Sequence, residues 1–239
     1  MTAAPAGDGS ADDALSSFYR KWLERWPEWP VVEVFVIPQR RETAIAWAAL
    51  QQELLDAAWG GRESNPGELK LAWWSEELLG WAQGRRRHPL GRVLQRETAP
   101  WDTLALALPT LTRSRERPLD PNDAFASIEP AASAAAGIDS ALFEGSATAA
   151  DTVAATWLAW RVLQHGESAV PLAVLAEVGQ GDGAQRWRTE LLRRWPSQRG
   201  ATRLRRLWAS LAYSRLESPG GRAPASWRVL WRAWNAARN

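Results

Sequence analysis

Apolar residues recur three and four positions apart along most of the chain, which is the period of an amphipathic helix. Leu15, Phe18, Tyr19, Trp22, Leu23 and Trp26 form one stripe and predict a helix over residues 14–26, stopped by Pro27 and Pro30. The apolar run 31–37, closed by Pro38, finds no second strand-like run to pair with and reads as a buried extended link. A second helix is expected over 42–59, ended by Gly60-Gly61, and a third along Leu71, Trp74, Leu78 and Trp81, stopped at Gly84. After His88-Pro89 come a short segment to Arg96 and a helix over 101–108. Residues 109–123, with Pro118 and Pro121 among charges, read as an internal linker. Further helices are expected over 124–142, 147–164, 171–179, 183–195, 201–216 and 226–237. The pattern predicts an all-α bundle: a flexible tail, residues 1–13, then one helical domain over 14–239.

Composition narrows the chemistry. With no cysteine there is neither a disulfide nor a thiolate metal site, and His88 and His165 are too few for a histidine-rich one. The start has no basic segment followed by an apolar one, and no apolar run approaches the length of a membrane span, so a cytoplasmic protein is expected, with peripheral membrane contact left open. The 17 tryptophans call for a packing explanation. Lys21 and Lys70 are the only lysines. From Gln185 onward thirteen arginines face only Glu190 and Glu217, a local formal charge of +11 in a chain whose net charge is +2. Such a basic third would steer an anionic partner, whether a diphosphate, a lipid headgroup or nucleic acid. Nucleic acid ranks last, because no DNA- or RNA-binding signature accompanies the charge.

One stretch carries a family resemblance. Phe35, Pro38, Arg40 and Arg41 precede a long helix, and Leu71-Ala72-Trp73-Trp74 then leads to His88-Pro89. In order and spacing this resembles the N-terminal part of the squalene/phytoene synthase family, over about residues 35–94. The resemblance implies an isoprenoid-synthase-like helical bundle. Active members join two prenyl diphosphates head to head, using Mg²⁺ held by two Asp-x-x-x-Asp motifs on facing helices, since carboxylates four apart share a helix face. Here the corresponding helix offers only Glu53 and Asp56, three apart, with Trp59 near the place of the second aspartate. Elsewhere acids four apart occur as Asp8 with Asp12 in the tail, and as Glu24 with Glu28 and Glu116 with Asp120, each enclosing a proline. The chain therefore resembles the family's degenerate members, which lack these aspartates; one of them serves assembly of respiratory complex I in mitochondria.

The expected function is accordingly non-catalytic: binding of a prenyl or lipid-like ligand, or of a protein partner. The alternative is a working head-to-head prenyltransferase acting on farnesyl or geranylgeranyl diphosphate, with Mg²⁺ on Glu53, Asp56 and further ligands. Glu53 and Asp56 are either a remnant acidic motif or an ion-paired helix face. Arg40, Arg41 and Lys70 are the candidates for holding a diphosphate at the mouth of the bundle, against plain charge balance at helix ends. Trp47, Trp73, Trp74 and Trp81 would wall a prenyl pocket or simply fill the core. His88, beside three arginines, is more readily a helix-ending residue than a general base. In the last helix Trp227, Leu230, Trp231 and Trp234 form one face with Arg228 and Arg232 off it. That is the pattern of an interfacial helix, or of a helix docked on the bundle by its tryptophans beneath a basic rim; docking is the more ordinary arrangement.

Overall fold

In a computed structural model the described residues are 8–61, 63–143, 148–178, 181–197 and 201–238. They are helical throughout, with no strand among them. The α-helices are α1 (Asp8–Arg25), α2 (Trp29–Val32), α3 (Arg41–Trp59), α4 (Asn65–Ala82), α5 (Gly91–Leu94), α6 (Trp101–Arg113) and α7 (Pro121–Ala126). They continue as α8 (Glu129–Leu142), α9 (Ala150–His165), α10 (Leu172–Val178), α11 (Gly183–Arg193), α12 (Arg203–Glu217) and α13 (Ser226–Arg238). The all-α expectation holds.

Several local expectations are corrected. Residues 8–13 are not tail but the first turns of α1, where Asp12 accepts a 2.7 Å hydrogen bond from Arg92. Residues 1–7 of the expected tail lie outside the described residues, as do Ala147 and Gly179 at the ends of expected helices. The run 31–37 is not extended. Pro30 starts α2 instead of stopping α1, because a proline in a first turn forfeits no hydrogen bond, and a 3₁₀ turn at Glu33–Phe35 follows. The expected helix 124–142 is two, broken at Ser127 and Ile128 so that Pro130 falls in the first turn of α8.

The expected linker 109–123 is helical at both ends. Helix α6 runs through Pro109, whose missing N–H would leave the Ala105 carbonyl unsatisfied; the Ser75 hydroxyl of α4 donates to that carbonyl instead. The rest of the segment is anchored as well. Arg115 donates to the carbonyls of Ala58, Gly60, Gly61 and Glu63 at the C-terminal end of α3, and Asp120 caps α7.

Helix α3 is the axis. Sixteen of its 19 residues are buried, so it presents apolar surface all round and is packed by α1, α4, α5 and α6. Gly67 lets α4 start tightly against it, since a β-carbon there would stand 2.3 Å from the Ala57 carbonyl oxygen. Twelve of the 17 tryptophans are buried in one continuous core. Trp22, Trp26 and Trp160 meet at ring-centroid distances of 5.4–5.7 Å, tying α1 to α9, while Trp47, Trp74, Trp81 and Trp101 form a chain of edge contacts linking α3, α4 and α6.

Candidate functional site

Glu53 and Asp56 share a face of α3, and α1 lies across it. Glu53 is bonded by Lys21 and, at 2.6 Å, by Lys70, so both lysines of the chain converge on this one carboxylate. Asp56 is met by Arg25 at 2.6 Å and by Lys21 at 3.3 Å. Burial opposes ionisation of Glu53, but hydrogen bonds from Lys21 and Lys70 outweigh it and hold the carboxyl below its usual range. The same contacts raise Lys21, against the burial that works to lower it. Three cations thus neutralise two carboxylates. Asp56 and Lys70 border a shallow groove with Gly60, Glu63 and Gly67, but it offers no unmatched negative charge from the pair.

One acid of each other four-apart pair is engaged too. Glu28 is gripped by Arg215 at 2.6 and 2.7 Å, and Asp120 accepts from the backbone of Asn122 and Asp123. Asp8 and Asp12 do share an intact helix, contrary to the expectation that they lie in a tail, with Asp12 bound to Arg92. Among the described residues no three His, Asp or Glu side chains gather as metal ligands.

Two-metal chemistry needs carboxylates that meet across a cavity. Here α3 meets α8 and α12 through a fully buried network. Arg205 donates to Asp139 at 2.6 and 3.0 Å and to Gln51 at 3.0 Å; Trp47 donates to Asp139 at 2.7 Å and Trp157 to Gln51 at 3.1 Å. The guanidinium of Arg205 and the indoles occupy the space between the helices, and the residues present do not fit a Mg²⁺–diphosphate centre. Sequence reasoning missed this network, although Asp139 stands out as an acid inside the alanine-rich EPAASAAAGIDSAL, and Gln51-Gln52 interrupts an apolar helix.

The three proposed diphosphate ligands do not converge. Lys70 is held by Glu53, Arg40 donates to both carboxylate oxygens of Glu97 at 2.9 Å, and Arg41 donates to the Val36 carbonyl at 3.2 Å. Arg41 opens α3 while Glu53 lies twelve residues along it, roughly 18 Å at the helical rise. Of the four aromatic candidates, Trp47, Trp74 and Trp81 are buried in ring-to-ring packing, and Trp73 is half-buried beside His88 and Arg87.

A second unforeseen residue organises the arginine run. Glu77 is buried on α4 and accepts from Trp81 at 2.8 Å, from the backbone N–H groups of Arg87 and His88 at 2.6 and 2.8 Å, and from the Arg87 side chain at 3.0 Å. It pins the Arg85–His88 turn onto the helix that precedes it. His88 then sits among the rings of Phe18, Trp73 and Trp74, its Nδ1 accepting from the Leu90 N–H at 3.2 Å. Burial pushes its pKa down to about 4 despite the nearby Glu53 and Glu77, so at neutral pH the ring is uncharged.

The basic third is largely spent inside the molecule. Arg186, Arg193, Arg194, Arg205, Arg215 and Arg232 are in ion pairs, and Arg188 donates to the carbonyls of Arg215, Leu216 and Ser218 that end α12. Among the described residues the side chains of Arg203, Arg222, Arg228 and Arg238 have neither an ion pair nor a hydrogen bond to protein. Two of these belong to α13.

That helix docks on α12 and α2, but not by its tryptophans. Val229, Ala233 and Ala236 form the buried stripe, and small side chains let α13 come close to the bundle. Trp227, Leu230, Trp231 and Trp234 point outward, 66, 46, 60 and 45% exposed. The expectation that the tryptophan face docks is overturned. Arg228 lies over the Trp227 ring at 5.2 Å and Arg238 over Trp234 at 4.4 Å, so free cations flank the exposed aromatics. Compared with known protein families, with curated proteins and with solved structures, the chain matches none.

Proposed function

We propose that this is a non-catalytic helical protein, of the squalene/phytoene-synthase kind its Leu-x-Trp-Trp…His-Pro pattern resembles, that seats on an anionic lipid surface through α13. The carrying observation is the outward face of that helix. Tryptophan is core material nearly everywhere else in the chain, yet three of the five tryptophans outside the core lie together on α13 with Leu230 and two unpaired arginines. Exposed apolar patches of this kind mark interaction surfaces. Indole rings beside arginines suit the interface between headgroups and acyl chains, where one end of the ring is dry and the other wet. No helix among the described residues is long and apolar enough to cross a membrane, so contact through α13 would be peripheral. The cation-matched pair Glu53/Asp56 and the filled space around Arg205 speak against the prenyltransferase alternative.

The test is co-sedimentation of the full chain with phosphatidylcholine vesicles, with and without phosphatidylglycerol. Each arginine near an anionic surface contributes about 1 kcal/mol, so Arg228 and Arg238 give a preference for anionic vesicles on the order of tenfold or more. Replacing Trp227, Trp231 and Trp234 together by serine should abolish binding with little change in thermal stability. If the wild-type chain ignores vesicles and self-associates through α13 instead, the face is a protein interface and the reading is wrong.

A further inference from the structure

A cavity of about 280 Å³ opens between residues 36–40, the end of α8 and the first turn of α12. Its apolar wall is Val36, Ile37, Phe143 and Leu204, and its polar rim is Arg40, Arg203 and Arg206. Arg206 joins it to α13, its Nε donating to the Ala236 carbonyl at 2.7 Å. Among the described residues, charge on the rim is unbalanced. Arg40 is matched by Glu97, but Arg206 donates only to the backbone carbonyls of Ala236 and Ala201, and Arg203 has no ion pair among the described residues. Arg203 is also the first residue of α12, at the positive end of a 15-residue helix capped by Thr202. Burial and the neighbouring Arg203 both lower the pKa of Arg206, as expected where positive charge lacks a counter-ion. Exposed Ile37 and Val34, 45 and 59% accessible, extend the apolar surface towards α13.

We propose that this cavity binds the phosphate monoester headgroup of an anionic lipid, with Arg203 and Arg206 on the phosphate and the first methylenes against Ile37, Phe143 and Leu204. The proposal rests on the membrane seat of α13, because a lipid entering from the bilayer would meet the cavity that Arg206 links to the end of that helix. Its volume lies just below the roughly 300–1,000 Å³ of ligand sites, which suits a headgroup and not a whole chain. Guanidinium forks match phosphate oxygens, and a monoester carries about −1.5 to −2 charge at neutral pH to offset the two arginines.

The experiment is calorimetric titration of the full chain with dihexanoyl phosphatidate kept monomeric, beside dihexanoyl phosphatidylcholine and inorganic phosphate. The phosphatidate should bind at least about tenfold more tightly than either control, and Arg203→Glu, an exposed change compatible with folding, should remove that affinity. Arg203→Lys should recover part of it. The triple tryptophan variant should bind the soluble lipid as the wild type does, which separates the cavity from the membrane seat. Phosphatidate binding that Arg203→Glu leaves intact overturns the assignment. Inorganic phosphate binding as tightly as the lipid would assign the rim to free phosphate and overturn the lipid. Vesicle binding through α13 with no soluble-lipid binding would sink the cavity alone, whereas soluble-lipid binding without vesicle binding would sink the seat.

Discussion

At the scale of single residues, Trp74 and His88 separate packing from chemistry. Trp74 is fully buried and touches Trp73, Trp81 and His88, so Trp74→Ala should cost on the order of 3–5 kcal/mol in urea unfolding. Vesicle binding per folded molecule should be unchanged, because α13 is not involved. His88 gives a pH signature whose sign is fixed by its depressed pKa. The unfolded chain protonates the ring near pH 6.5 and the folded chain only near pH 4, so between those values the unfolded state holds the extra proton. Stability should therefore fall by about 2–3 kcal/mol as the pH drops through that window, and His88→Gln should lose that part of the slope. Glu53, Glu77 and Glu190, whose carboxyls are held low, come next: their contribution is present above their unfolded values and is lost as the pH falls through their folded ones. A His88→Gln variant with the wild-type slope would mean that the ring is solvated. The role of Glu77 was not legible in the sequence, because a carboxylate that collects backbone N–H groups ten residues downstream leaves no periodic trace.

At the scale of elements, the helices with strong periodicity and glycine stops, α3 and α4, end where the sequence predicts, with Gly84 at positive φ just past α4, although α4 starts at Asn65, ahead of its apolar stripe. Most of the misplaced boundaries turn on proline, in opposite ways: Pro30 and Pro109 do not stop a helix, while Pro130, inside the expected helix 124–142, opens a new one. Pro30 and Pro130 sit in first turns, and Pro109 is tolerated because Ser75, on another helix, satisfies the carbonyl it frees. Only tertiary contact supplies that partner. The same holds for the core network, whose members Gln51, Asp139 and Arg205 come from three helices. Removing one partner strands a buried charge, so Asp139→Ala should destabilise by about 3–5 kcal/mol, whereas the pair Asp139→Leu with Arg205→Met should recover most of it. Chemical denaturation of the two variants checks this. A double variant as unstable as the single one would show that Arg205 is needed for packing over Trp208, whose ring it faces at 5.0 Å, and not for its charge.

At the scale of the whole molecule, the orientation of α13 decides what the basic third is for. A helical wheel of this segment has two apolar stripes, and their size favours the tryptophans as the docked one. The bundle selects the smaller stripe, because Val229, Ala233 and Ala236 allow α13 to approach α12 and α2 closely. The net charge misleads in a similar way, since most of the thirteen arginines are consumed by internal pairs and helix ends that composition does not reveal. A pair of substitutions tests the orientation by stability alone. Ala233 is fully buried, so Ala233→Leu should overpack the contact and cost about 1–3 kcal/mol. Trp231 is 60% exposed, so Trp231→Ser should stay within about 0.5 kcal/mol of the wild type. Thermal melts of both variants measure the difference. The reverse pattern, a tolerant Ala233 and a costly Trp231, would place the tryptophans against the bundle and leave the lipid seat without a surface to work from.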